Sequence, residues 1–417
     1  MALKDFTKPI PQGLLNIEDK TRSNLFAWRG QFSPQLIECL LQAYCPPDSL
    51  VLDPFAGSGT VLYEAARMHL SAFGYEINPA AWSFSKLCEF ANVPYAERDS
   101  AIDELKSRIN LEFPMVLFSE PEIAIQDIEE RVIRIGESLS DRGKILFNAL
   151  VCILDIFNNR ITNYFVHGKF VTLAKLVRSL PYSDRQIKAD LQDARLLPLE
   201  SESIDFVVTS PPYINVFNYH HNYRRSVEVL GWNLLRVARS EIGSNRANRG
   251  NRFFTVIQYS IDMTKALQEL ARVLRPGGRA VVILGHESRV LGTAFYNADI
   301  IEKIACSSQM FDIVLRQQRV FTNRFGELIR EDILNLQRET CRNDEQLATT
   351  LGRDVAREAL NSALTTVPKS NYALLIDAIS RINEITGTPV FNSLAYAAYQ
   401  SRTEVMMVKE EEVAHEQ

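Results

Sequence analysis

The chain has no Cys-x-x-Cys pair. Its six cysteines, Cys39, Cys45, Cys88, Cys152, Cys306 and Cys341, are scattered. That spacing indicates neither a zinc knuckle nor a disulfide framework, so no metal is expected and a reducing cytoplasm is. No apolar run reaches the length that crosses a bilayer, and the first residues lack a signal-peptide pattern, so no membrane association is expected. Nothing resembles Gly-Lys-Ser/Thr, which argues against a nucleoside-triphosphate loop. Positive charge is short too: 46 basic against 51 acidic residues leave a net charge of −5, unlike a general nucleic-acid coat. Internal repeats and long low-complexity segments are missing. What is present, 417 residues with 46% apolar content, can bury one large core and an accessory domain.

Residues 209–213 read Thr-Ser-Pro-Pro-Tyr after the apolar run Ile204-Asp205-Phe206-Val207-Val208. The run reads as a buried parallel strand. The prolines then stop it, since each lacks a backbone donor and fixes φ. Open α/β sheets place ligands at such carboxyl ends. The Ser210 hydroxyl and the Pro211 carbonyl can accept two hydrogen bonds from a planar amino group, Pro212 stiffens the turn, and Tyr213 can stack on the ring that carries the amine. The bland alternative is a strand-terminating turn.

A second motif shifts that balance. Leu50-Val51-Leu52 is another buried strand, ended by Asp53-Pro54-Phe55-Ala56-Gly57-Ser58-Gly59-Thr60. The glycines permit a tight turn and close approach by a ligand. Free N–H groups at the start of the helix near Thr60 suit an anion. The next strand, Ala72-Phe73-Gly74-Tyr75, ends in Glu76, followed by Ile77, 17 positions after Gly59 and placed to hold two ribose hydroxyls. A third acidic strand end, Asp193-Ala194, offers an acceptor for an adenine amino group. Glycine loop, ribose carboxylate and adenine-facing carboxylate together suit an adenosyl ligand without a phosphate.

Asp53-Pro-Phe-Ala-Gly-Ser-Gly-Thr60 followed by Thr209-Ser-Pro-Pro-Tyr213 resembles the S-adenosylmethionine-dependent amino-methyltransferases of DNA, and more narrowly the cytosine-N4 type; the adenine-N6 type more often carries Asp or Asn at the place of Ser210. The resemblance covers roughly residues 25–325. It implies a Rossmann-like class I methyltransferase: α/β, with a doubly wound, mostly parallel seven-stranded sheet. It implies S-adenosylmethionine as cofactor, S-adenosylhomocysteine as product, double-stranded DNA as substrate, and a restriction–modification or defence setting with its partner protein. It also makes Phe32 and Ser33, in Trp28-Arg-Gly-Gln-Phe-Ser-Pro34, contacts for the methionine end. Ser33 reads as the cap of a helix opened by Pro34. A base in a duplex cannot reach such a pocket, so flipping is expected, with Tyr213, Phe217 and Tyr219 as walls. Other readings are adenine-N6 methylation, a guanine-N2 methyltransferase of transfer RNA, and a non-catalytic nucleic-acid-binding subunit. The RNA enzymes usually carry an RNA-binding domain ahead of the cofactor motif, for which no room is expected before Leu50.

Charge is unevenly distributed. From Arg224 to Arg252 seven arginines face only Glu228 and Glu241, a local excess of five positive charges. Arg224, Arg225, Arg246, Arg249 and Arg252 are the candidates for DNA contact, and Gly243–Arg252 reads as a flexible basic loop. The adjacent His220 and His221 lack further ligands at metal-binding spacing. Between Asn78 and Asp193 lie 114 residues, far more than one strand and helix need. The expected organisation is therefore a cofactor-binding half over 1–99, a helical insertion over 100–182, a catalytic half over 183–325 and a helical C-terminal region over 326–417. Insertion and tail are the candidates for target recognition.

Overall fold

The computed structural model describes residues 4–26, 28, 31–115, 121–156, 158–215, 223–246, 250–323, 326–342 and 344–393. Its strands are β1 (Leu50–Asp53), β2 (Ser71–Glu76), β3 (Ile187–Leu191), β4 (Ile204–Thr209), β5 (Leu274–Gly285), β6 (Glu287–Val290), β7 (Thr293–Tyr296), β8 (Phe311–Thr322) and β9 (Leu328–Arg338). Seven form one sheet in the order β3-β2-β1-β4-β5-β9-β8, while β6 and β7 pair as a separate hairpin. The first five are parallel, and β9 runs antiparallel to both β5 and β8. The chain winds outward from β1 to β3, then returns to the other side of β1 as β4. The two strands of that switch leave a crevice at their carboxyl ends.

The strands are short apolar runs because helices cover both sheet faces. On one face the helix Phe254–Val273 is buried almost all round. It is covered in turn by the helix Glu345–Ser362, whose Gly352 lies so close that a Cβ there would come within 2.5 Å of the Ile261 Cα. On the other face pack the helices Pro34–Tyr44 and Thr60–Arg67. Between β2 and β3 the helices Tyr95–Glu112, Ile125–Ser138, Asp141–Leu154 and Asn163–Ser179 build a core of their own. That core is continuous with Trp28 and with the helix Arg224–Val229.

The expectation of a helical chain from residue 326 onward needs correction. Residues 328–338 form β9, an interior strand. Its sequence, Leu-Ile-Arg-Glu-Asp-Ile-Leu-Asn-Leu-Gln-Arg, looks surface-exposed, but the charges are paired: Glu331 with Arg319 at 2.7 Å and Asp332 with His286 at 2.8 Å. Helices follow only at Glu345–Ser362 and Tyr372–Ser380, and residues 394–417 lie outside the described part.

Arg98 holds the insertion to the sheet domain. It is fully buried, with Tyr95 beneath its guanidinium, and it donates to the carbonyls of Val93 (2.8 Å), Val177 (3.3 Å), Leu180 (2.6 Å) and Pro181 (3.1 Å). Val177 and Leu180 lie at the C-terminal end of Asn163–Ser179, where carbonyls lack helical partners. Arg98→Met keeps most of the volume and strands these acceptors. It is expected to destabilise the protein by about 3 kcal/mol, read from urea unfolding.

Candidate active site

β1 delivers Asp53 to the crevice, and the loop after it turns through positive φ at Gly57 (51°) and Gly59 (89°). A Cβ on Gly59 would meet the Ser85 Cα and Cys88 Sγ at 2.9 Å, so neither the conformation nor the space admits a larger residue. Gly74 on β2 likewise lets Ala56 and Leu62 sit against the strand. At the end of β2, Glu76 accepts from the Gly57 N–H on Oε2 (2.9 Å) and from the Asn78 N–H on Oε1 (2.8 Å). One strong donor per oxygen fixes the carboxylate and leaves acceptor capacity for two hydroxyls. Burial pushes Glu76 up to about 7, and burial likewise pushes Asp53 up to about 7 against the Thr209 hydroxyl and the Phe55 N–H.

β4 delivers the second motif beside the first. Thr209 Oγ1 donates to Asp53 Oδ1 at 2.6 Å. Ser210 Oγ and the Tyr213 hydroxyl lie 3.3 Å apart. The Tyr213 ring rests on Gly285 at the end of β5, where a Cβ would come within 2.8 Å of it. Buried Asn297 clamps this turn: its Oδ1 accepts from the Ile214 N–H (3.1 Å) and its Nδ2 donates to the Gly285 carbonyl (2.7 Å).

Both motifs open into one cleft with about 910 Å³ of empty space. Pro54, Phe55, Gly57, Glu76, Ile77, Asp193, Ala194, Ser210, Pro211, Pro212 and Tyr213 line it together with Trp28 and Ser240–Ile242. Ser58, Gly59 and Thr60 lie behind the lining. Ser58 Oγ donates to Gln31 (2.8 Å), and Thr60 opens the helix after Gly59. Sequence reasoning missed Gly285, Asn297 and the Ser240–Ile242 wall. Gly285 at a strand end and Asn297 at a helix start were the only signals they gave.

Three expectations change. Phe32 and Ser33 do not line the cleft: Phe32 packs into the core under Pro34–Tyr44, and Trp28, four residues earlier, faces the cleft instead. Ser33 occupies the cap position, but its side chain makes no capping bond. Asp193 does not present an open carboxylate. Its Oδ1 accepts from the Arg195 N–H and Nε (both 2.9 Å), and its Oδ2 from Arg195 Nη2 (2.7 Å) and the Phe391 N–H (2.9 Å). The basic segment is anchored rather than loose. Asn245 bonds to Gln258 and Asn251, and Asn251 to Leu374 and Asp377. Arg224 pairs with Glu228 and Arg225 with Glu129, both at 2.7 Å. Arg246 donates to the Ala238 carbonyl, and Arg252 to Asn215. Arg249, Phe217, Tyr219, His220 and His221 lie outside the described residues. Among the described residues no His/Cys/Asp/Glu group is arranged to hold a metal, and no helix is long and apolar enough to cross a membrane.

Strand order and cleft define a Rossmann-like class I methyltransferase. The DNA methylase family model of the N6/N4 type matches residues 12–86. A type II methyltransferase, M.MjaII of Methanocaldococcus jannaschii, is 32% identical over 68 residues, which is 16% of this chain and only 13% of that protein. Among solved structures, an S-adenosylmethionine-dependent methyltransferase from Methanosarcina mazei is 12% identical, with 72% of this chain and 97% of that one covered and a TM-score of 0.33. Magnesium protoporphyrin IX methyltransferase from Synechocystis PCC 6803 is 12% identical, with 73% and 80% covered and a TM-score of 0.32. The fold assignment rests on the strand order itself. The family read from the two motifs is the family the chain matches, the DNA amino-methyltransferases.

S-adenosylmethionine is the cofactor of this class, and the residues present fit it. Glu76 suits a ribose diol. Asp53 Oδ2 and Ser33 Oγ are buried without hydrogen-bond partners, on the two segments that Gln31 and Ser58 tie together. Such orphaned atoms suit the charged methionine end of the ligand. Ribose recognition needs the Glu76 carboxylate, so S-adenosylhomocysteine affinity is expected to fall below pH 7 by up to about tenfold per pH unit. Glu76→Gln should flatten most of that slope in calorimetric titrations. Stability without ligand has the opposite sign. The folded form holds these protons more tightly, so stability declines as pH rises toward 7.

Proposed function

We propose that the protein transfers a methyl group from S-adenosylmethionine to the exocyclic amino group of a DNA base, cytosine N4 in the first place. The observation that carries this reading is the shared cleft: the Ser210–Tyr213 turn faces the same space as the glycine loop and Glu76. The bound cofactor would supply an electrophilic methyl group. An exocyclic amine is a poor nucleophile because its lone pair is delocalised into the ring. Ser210 Oγ and the Pro211 carbonyl would accept its two hydrogens and favour a pyramidal nitrogen. Tyr213, seated on Gly285 and tied back by Asn297, offers a fixed platform for the base, which must leave the duplex to reach it. No cysteine lines the cleft, so covalent activation of cytosine carbon 5 has no nucleophile there.

Double-stranded DNA is the proposed substrate, with Arg224 and Arg225 on the helix after the catalytic turn as phosphate contacts. Their pairs with Glu228 and Glu129 are part-exposed. Such pairs are worth about 0–1 kcal/mol, so exchange for phosphate is inexpensive. Ser210, where the adenine-N6 type more often has an acid, favours cytosine. A restriction or defence partner belongs to the same reading through the family setting alone.

Incubation with tritiated S-adenosylmethionine and mixed-sequence DNA, followed by digestion to nucleosides, is expected to put label in N4-methylcytosine. Label in N6-methyladenine would replace the base, and label only in transfer RNA would replace the substrate. Ser210→Ala and Tyr213→Ala are each expected to cut turnover about a hundredfold, with cofactor Kd within about twofold of the original. Full activity in both would remove the site assignment. Gly285→Ala should displace the Tyr213 ring and lower turnover by a similar factor, again with cofactor affinity kept.

A further inference from the structure

The acid expected to read the adenine ring is already committed. A carboxylate has about four acceptor positions, and Asp193 uses them on three donors of Arg195 and on the Phe391 N–H. An incoming amino group would have to break one of these bonds in a buried ion pair. Yet Asp193 and Ala194 form a wall of the cleft, and opposite the glycine loop stands a segment the sequence motifs do not include, Ser240-Glu241-Ile242.

That segment is held on both sides of Glu241. The Ser240 carbonyl accepts from Arg195 Nη2 at 2.8 Å, and the Gly243 N–H donates to Asp262 Oδ2 at 2.9 Å. Arg195 and Asp262 are themselves paired at 2.9 Å and fully buried. Ile242 anchors the stretch in the main core. Glu241 is thus the residue between two backbone atoms fixed by one buried ion pair, with its side chain lining the cleft beside the Asp193–Ala194 wall. It also shares that cleft with Glu76, whose proton affinity its charge raises. Two carboxylates facing one cavity repel each other, an arrangement typical of sites that await a donor-bearing ligand.

We propose that Glu241 accepts the exocyclic amino group of the cofactor's adenine ring, in the role that Asp193 cannot fill. The inference rests on the S-adenosylmethionine reading of the cleft and deepens it. Glu76 reads the ribose, and Glu241 distinguishes a 6-amino purine from a 6-oxo purine. A carboxylate attracts the amine and repels the carbonyl, whereas a glutamine side chain can satisfy either.

The test is a binding cycle, independent of turnover. Calorimetry would measure S-adenosylhomocysteine and its 6-oxo counterpart, S-inosylhomocysteine, against the unaltered protein and against Glu241→Gln. Unchanged far-UV circular dichroism and melting temperature would serve as the folding control. The unaltered protein is expected to prefer the amino ligand by about a hundredfold, and Glu241→Gln to shrink that preference to within about fivefold. Glu241→Ala should weaken the amino ligand while leaving the 6-oxo ligand as it was or better bound. Retention of the full preference in Glu241→Gln would overturn this assignment and leave the cofactor reading intact. Failure of the unaltered protein to bind either ligand would overturn both.

Discussion

The hydrogen bond from Thr209 to Asp53 joins residues 156 positions apart in the chain and sits where the whole arrangement converges. It exists because β1 and β4 are neighbours, with Val51 beside Phe206 and Leu52 beside Val207. That adjacency follows from the reversal of winding direction at β1. Had β4 been added outside β3, the glycine loop and the Ser-Pro-Pro-Tyr turn would open into different spaces. Asp53 is held there at a cost, because a buried carboxylate with one oxygen unpartnered forgoes about 1–3 kcal/mol of solvation. Burial raises its proton affinity accordingly. Such a group is a liability in an empty fold and an asset once a cation lies beside it.

A second constraint ties the C-terminal segment to the same cleft. Arg195 lies between Asp193 and Asp262, all three buried, and the surplus negative charge is met by donors from Thr388, Gly243 and Phe391. Burying charges is costly, and such networks add less stability than their bond count implies. Their effect here is geometric. Four stretches distant in sequence (193–195, 240–243, the helix at 262 and the segment 388–391) are fixed relative to one another. The wall of the cleft is therefore as rigid as the core behind it. A hydrophobic replacement of the trio could match its energy but would not position the Ser240 carbonyl and the Gly243 N–H.

Much of this was legible in the sequence where the local chemistry was unambiguous. Apolar runs ended by Asp53, Glu76 and the prolines at 211 and 212 gave β1, β2 and β4, and the motifs gave their ligands. The failures share one cause: a partner remote in sequence changed what a residue was free to do. Asp193 looked available because Phe391, which helps to saturate it, lies 198 positions away. β9 looked like a charged surface because Arg319 and His286 neutralise its acids from neighbouring strands. The Gly/Asn/Arg stretch looked loose because the burial of Asn245 and Asn251 depends on the helix at 258 and on residues 374–377. Phe32 lost its expected place to Trp28 because the helix it precedes turns its apolar face to the core.

The charge pattern along the cleft bears on the choice of base. Asp53 and Glu76 stand at the cofactor end, and Glu241 joins them on the facing wall, so the acidic character is concentrated there. The catalytic turn is neutral, since Ser210, Pro211, Pro212 and Tyr213 carry no charge. An aspartate at 210 would add another carboxylate to a cleft already holding Glu76 and Glu241. Each further like charge in a confined low-dielectric space raises the proton affinity of the rest, which would weaken the acceptors on which cofactor binding depends. A serine avoids that penalty and still accepts one amine hydrogen. What it gives up is the negative charge that would stabilise the cation developing on the attacked nitrogen. The field of Glu76 and Glu241 compensates for that from across the cleft. Serine at the turn and surplus acid on the opposite wall are, in this sense, two halves of one electrostatic solution.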